Sequence, residues 1–285
     1  MNLTAHAVRA LTALSLALGV CGCGNSQPQQ PDRGGVELVG LFRFDPAAYL
    51  GPDKAPTGTW FQMLTPAGGV MSNANPGSPV WQVNGKPVPG AYTSLAPGVG
   101  GGLRAGGYQS LPDPAFAGTP TDPKAGDSLA DSVTQPTPFF LVKFSISTNA
   151  TDPQTQRPVG PPKVLLRTDG TLAADLSSWA ATWNGQYFNQ GAPKPRPAKD
   201  AQVQGAAQVK QVWDWAAQKF LDAPVADNIP QGDWATGSYD PATRHYSLQW
   251  RSLIVGGPFD KFTGLWHLEG VFEPSTGPVP HGPSS

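Results

Sequence analysis

Tyr246, Leu248 and Trp250 alternate with His245, Ser247, Gln249 and Arg251, and farther on Trp266, Leu268 and Phe272 alternate with His267, Glu269 and Val271. A period of two sends successive side chains to opposite faces, so both runs demand strands with one buried face. A helix turns about 100° per residue and would scatter these rings around its whole surface. The runs therefore read as the two arms of an antiparallel hairpin. Gly256 to Gly264 joins them as a long loop with an apolar tip.

Other stretches repeat the pattern. Val36, Leu38, Phe42 and Phe44 share one parity, and Phe140, Val142, Phe144 and Ile146 share another against Lys143, Ser145 and Ser147. Shorter strands are expected over Thr59–Leu64, Val80–Val83 and Lys163–Arg167, with turns at Asn84-Gly85 and Asp169-Gly170. Residues 172–190 suit either period, and Trp183-Asn184-Gly185, a turn entry, favours strand. Leu103–Pro138 reads mostly as loop, longer than the roughly 15 residues usual for a structureless connection. One helix is expected over Gln204–Asp222, where Val209, Val212, Trp213, Ala216 and Phe220 recur at threes and fours and Pro224 stops it. The Asp-Pro pairs at 45–46, 113–114, 122–123, 152–153 and 240–241 have no fixed period and read as turn chemistry.

The expected fold is mainly β: an antiparallel sandwich or barrel-like domain over 36–273, with one packed helix and long Gly/Pro-rich loops. Gly (34) and Pro (32) approach the level of a disordered chain, but nine Trp and 12 Phe require a packed core. Residues 274–285 read as a flexible tail. Net charge is −1 and 14% of residues are charged, so no basic field exists to hold nucleic acid.

The amino terminus reads as a secretory signal over residues 1–22, with Arg9 before the uncharged run Ala10–Val20. That run is too short to span a hydrocarbon core, which takes about 20 residues. The stretch ending Val20-Cys21-Gly22-Cys23 resembles the lipobox of bacterial lipoproteins. The resemblance implies a lipidated Cys23, an envelope location outside the cytoplasm, and a membrane held through acyl chains. Residues 23–35 then form a polar, Pro/Gln-rich tether. The segments DLSSWAATWNGQYFNQG and GSYDPATRHYSLQWRSLIVGG look faintly like strands of surface-anchored secreted bacterial proteins, which implies a β fold and no activity.

The usual chemistries find no pattern. The sequence holds no Gly-x-Ser-x-Gly, and Gly98-Val99-Gly100-Gly101-Gly102-Leu103 fits neither a dinucleotide fingerprint nor a P-loop. Asp122 to Ser128 lacks the ligand spacing of a calcium loop. His245 and His267 share a face with Glu269, which reads as a polar outer face with cross-strand contacts in preference to a zinc site. No catalytic, metal or cofactor residue is assigned. The candidate ligand contacts are aromatics in loop or exposed contexts: Trp215, Trp234, Phe259 and Phe262. The expectation is a lipid-anchored domain that acts by binding, with a glycan or an apolar molecule as its ligand. A secreted hydrolase of envelope polysaccharide or lipid, and a lipocalin-like carrier, are the alternatives.

Overall fold

The computed structural model describes residues 34–48, 56–66, 81–83, 86–88, 92–118, 125–140, 142–194, 211–214, 219–222, 234–255 and 259–275. The chain divides into two units, Met1–Arg33 and Gly34–Ser285, and all described residues belong to the second. Cys23, the signal segment and most of the tether lie outside the described residues.

The early strands are β1 (Val36–Leu38), β2 (Gly40–Phe44), β3 (Trp60–Leu64), β4 (Trp81–Val83), β5 (Lys86–Val88) and β6 (Thr93–Ser94). Next come β7 (Gly102–Ala105), β8 (Thr137–Phe139), β9 (Val142–Thr148), β10 (Lys163–Leu166), β11 (Thr171–Asp175), β12 (Trp179–Trp183) and β13 (Gln186–Asn189). The last are β14 (Gln211–Asp214), β15 (Lys219–Asp222), β16 (Ala235–Tyr239), β17 (His245–Leu253) and β18 (Thr263–Pro274).

The large sheet runs β10-β11-β16-β17-β18-β2 with every pairing antiparallel, and β1, one residue before β2, pairs back onto β10. β1 and β2 thus act as a single bent strand that nearly closes the sheet into a barrel. β7 lies along the other edge of β2, and β3 runs beside the first half of β18. A second sheet, ordered β13-β12-β9-β8, packs against this one.

The expected hairpin is β17–β18, with Leu248 opposite Leu268 and Trp250 opposite Trp266. Its inward parity, Tyr246, Leu248, Trp250, Trp266, Leu268 and Phe272, is buried, whereas His245, Gln249 and Arg251 are exposed. Trp250 and Trp266 stack with centroids 6.0 Å apart, and Trp179 of β12 meets both edge-on at 5.2 and 5.5 Å. These three rings join the two sheets. Each large side chain so buried contributes about 1.5–3 kcal/mol.

Residues 172–190 are strands, as the turn signal favours. β12 and β13 meet at Asn184-Gly185, whose φ values of 50° and 71° are the positive pair that a tight two-residue hairpin needs. The helix expected over Gln204–Asp222 is corrected. Gln211–Asp214 and Lys219–Asp222 pair antiparallel instead, Val212 opposite Leu221 and Trp213 opposite Phe220. Val, Trp, Phe and Leu are good strand formers, and pairing gives each short run the backbone bonds that a helix would have supplied.

The described parts of the stretch after β7, 106–118 and 125–136, cover the second sheet. β12 is buried along its whole length and β9 nearly so, because Gln109, Ser128 and Thr134 lie over their outer face. The contacts are polar: Ser128 Oγ with Thr182 Oγ1, Thr134 Oγ1 with Ser145 Oγ at 3.0 Å, and the Gln109–Thr148 bridge. Ser145 and Ser147, polar by parity, are therefore buried under a loop and not wetted.

Candidate functional site

A crevice opens between the two sheets. β3 contributes Phe61 and Met63, β8 and β9 contribute Phe139 and Phe144, and β12 and β13 contribute Ala181, Trp183 and Phe188. Trp266 closes the floor from β18, and Ile254 and Phe259 enter from the β17–β18 connection. Among the described residues, Gln190 is the one polar lining side chain and none of the lining residues is charged. The crevice's empty volume is about 390 Å³ when the open mouth is counted, and the centre of a water-sized body can occupy about 40 Å³.

Phe259 is the one lining residue that is not fully buried, and it marks the mouth. Its ring meets Phe139 at 5.7 Å, Phe140 and Trp183 each at 5.3 Å, and Phe262 at 5.7 Å. Phe140, also half-buried, has φ of 55°. A bulky residue in that region costs about 1–3 kcal/mol, and such strain gathers at functional positions.

Gln190 is held from every side. Its carbonyl accepts from Trp250 Nε1 at 2.9 Å, its Oε1 accepts from Trp266 Nε1 at 3.2 Å, and its Nε2 donates to Asn189 O at 3.0 Å. Behind it Lys194, 3% exposed, donates from Nζ to Asn189 O and to Leu253 O at 2.7 Å. Burial pushes this amine down to about 7, against a smaller upward pull from Asp152. Asp152 is itself occupied: Asn189 Nδ2 donates to one oxygen, and the Thr155 backbone and hydroxyl donate to the other.

No protein-family model, no curated protein and no solved structure matches this chain. What the molecule can do rests on these groups alone.

A second cluster lies on the outer face of β17–β18. His245 Nε2 is 3.3 Å from one oxygen of Glu269, and His267 Nε2 is 3.2 Å from the other. Gly58 N–H donates to Glu269 at 2.8 Å, and Trp60 stacks on His267 with centroids 5.0 Å apart. Each imidazole meets a different oxygen of the one carboxylate. Among the described residues no group of three His, Cys, Asp or Glu has metal-holding geometry. Both Nε2 atoms face Glu269, so the cluster ties the Gly58 loop to β18.

Of the aromatic candidates, Phe259 and Phe262 come together at the crevice mouth. Trp234 is buried against Leu165 and Ala173, in a small cluster apart from the main core, and takes no part in the crevice. Trp215 lies outside the described residues. Sequence reasoning missed Phe139, Phe140, Trp183, Gln190 and Lys194 as neighbours of this site. The adjacent pair Phe139-Phe140, which puts one ring on the wrong parity of a strand, was the available signal.

Proposed function

We propose that this chain is a lipid-anchored cell-envelope lipoprotein whose β domain is a non-catalytic binding module for an apolar ligand, received in the crevice between its sheets. One observation carries the ligand reading: ten apolar side chains and one already bonded amide line a space that opens to solvent at a half-exposed phenylalanine. Apolar sites with few polar groups and a formed entrance are the usual form of small-molecule pockets. The lipobox-like Cys23 supports the envelope location, and the uncharged lining among the described residues agrees with an apolar ligand.

Two titrations test the ligand reading, one with cis-parinaric acid as a linear probe and one with N-phenyl-1-naphthylamine as a compact probe. Saturable fluorescence change with at least one is expected, and Phe259→Asp abolishes it while the variant still unfolds cooperatively, at a lower midpoint because the ring packs against four others. If neither probe binds the folded protein, the reading is overturned. For the anchor, Cys23→Ser is expected to move the protein from the membrane to the soluble fraction. Retention in the membrane with unchanged mass would sink that part.

A further inference from the structure

We infer that the crevice takes a single unbranched alkyl or acyl chain, tail first, with the polar end of the ligand left outside at Phe140 and Phe259. This rests on the reading of the crevice as an apolar ligand site and adds the shape and orientation of what enters.

Size comes first. Across the whole crevice the centre of a water-sized body can occupy about 40 Å³, well below the roughly 150 Å³ dry cavity that admits benzene. A ring does not fit whole in such a space, whereas a chain can enter by its end and leave its remainder in the open mouth. The end of a methylene chain is narrow enough, and Met63, an unbranched thioether among rigid rings, adapts its shape around it.

Polarity sets the direction. An ionised or strongly hydrated group carried inward would find no cation among the described lining residues, none of which is charged. The nearest buried cation, Lys194, lies behind Gln190 and spends its donors on Asn189 O and Leu253 O. Gln190 answers Trp266 and Asn189, so it makes no demand that a polar tail would have to meet. Burying an unpaired polar or charged group is costly, so the head stays in water. At the mouth, the Phe140 ring is held at a strained φ beside Phe259, which forms an apolar collar for the emerging chain.

The test uses the full chain carrying Cys23→Ser, so that its own acyl groups cannot occupy the site. Bound cis-parinaric acid is displaced by n-alkanols from hexanol to dodecanol, by the matching carboxylates, and by naphthalene. Each added methylene is expected to tighten binding about fourfold until the tail reaches Trp266, after which affinity levels off. Alkanols and carboxylates should share that slope, since both heads lie outside. Naphthalene displacing better than decanol, or affinity indifferent to chain length, overturns the inference while leaving an apolar site in place. Binding of neither probe overturns both. Phe140→Asn, which keeps the positive φ without the ring, is expected to weaken decanol several-fold with little change in unfolding. Displacement by phosphatidylcholine vesicles identifies a membrane lipid as the chain's source, and displacement by free alkanols alone identifies a free chain; either outcome supports the proposal.

Discussion

Lys194 is buried to 3% exposure with one carboxylate, Asp152, near enough to influence it. Its folded pKa falls from 10.5 to about 7. Between those values the unfolded chain keeps a proton that the folded chain has shed, so stability rises with pH across that window, by at most about 1.4 kcal/mol per unit. Below pH 7 both states are protonated and the folded one carries the full cost of a buried charge. Urea midpoints from pH 6 to 10 are expected to climb in the wild type, and Lys194→Met should flatten that part of the climb. Superimposable pH profiles would refute the assignment. At Glu269 the carboxylate answers Gly58 N–H and two imidazoles. Glu269→Ala should cost about 1–3 kcal/mol, because it leaves a part-buried N–H without its acceptor. Glu269→Gln retains an acceptor oxygen and should cost less, with thermal unfolding of both variants as the measurement. Lys194 was not readable as special in the sequence, because it meets Leu253 only through the fold, and Glu269 was readable as a neighbour of His245 and His267 but not as the acceptor for Gly58.

At the scale of elements, the β17–β18 hairpin was the most legible part of the chain, since nine aligned pairs repeat one inward parity without a break. The β12–β13 hairpin was legible through Asn184-Gly185, whose backbone demand shows in residue type. β14 and β15 were not. Val209, Val212, Trp213, Ala216 and Phe220 lie at helical spacing, and strands of four residues are too short for alternation to contradict it. The covering stretch was illegible for another reason: Ser145 and Thr182 look like a wetted face until Thr134 and Ser128 are seen to bond to them. The crevice depends on a similar close approach. A Cβ at Gly264 of β18 would lie 2.3 Å from Gln190 Oε1, 2.9 Å from Trp266 Nε1 and 3.0 Å from Phe61. Gly264→Ala is thus expected to destabilise by about 1–3 kcal/mol, the cost of overpacking. It should also weaken parinaric acid binding by displacing Gln190, which a titration beside the unfolding curve would read out.

For the whole molecule, β2 is the strand on which closure depends. It bonds to β18 along one edge and to β7 along the other, while β1 reaches β10. Its partner β18 lies at the far end of the sequence, and Arg43 forms a two-point ion pair with Glu273 across the joint, at 2.8 and 3.3 Å. Deleting residues 34–44 is expected to abolish cooperative unfolding altogether, monitored by near-ultraviolet circular dichroism, because three neighbouring strands lose a partner at once. Survival of a sharp transition would mean that the barrel-like sheet is not the cooperative unit. The register of the same joint has a mechanical consequence. Gly40 faces Pro274 and Phe44 faces Gly270, and Ser275 N–H bonds to Val39 O. The chain leaves β18 beside Val39, at the end of this seam, so a pull on the outgoing chain at Ser275 loads the β18–β2 backbone bonds one after another, like a zipper, starting from Pro274. The incoming chain is held by another seam, the pairing of β1 with β10, and a pull there meets that one first.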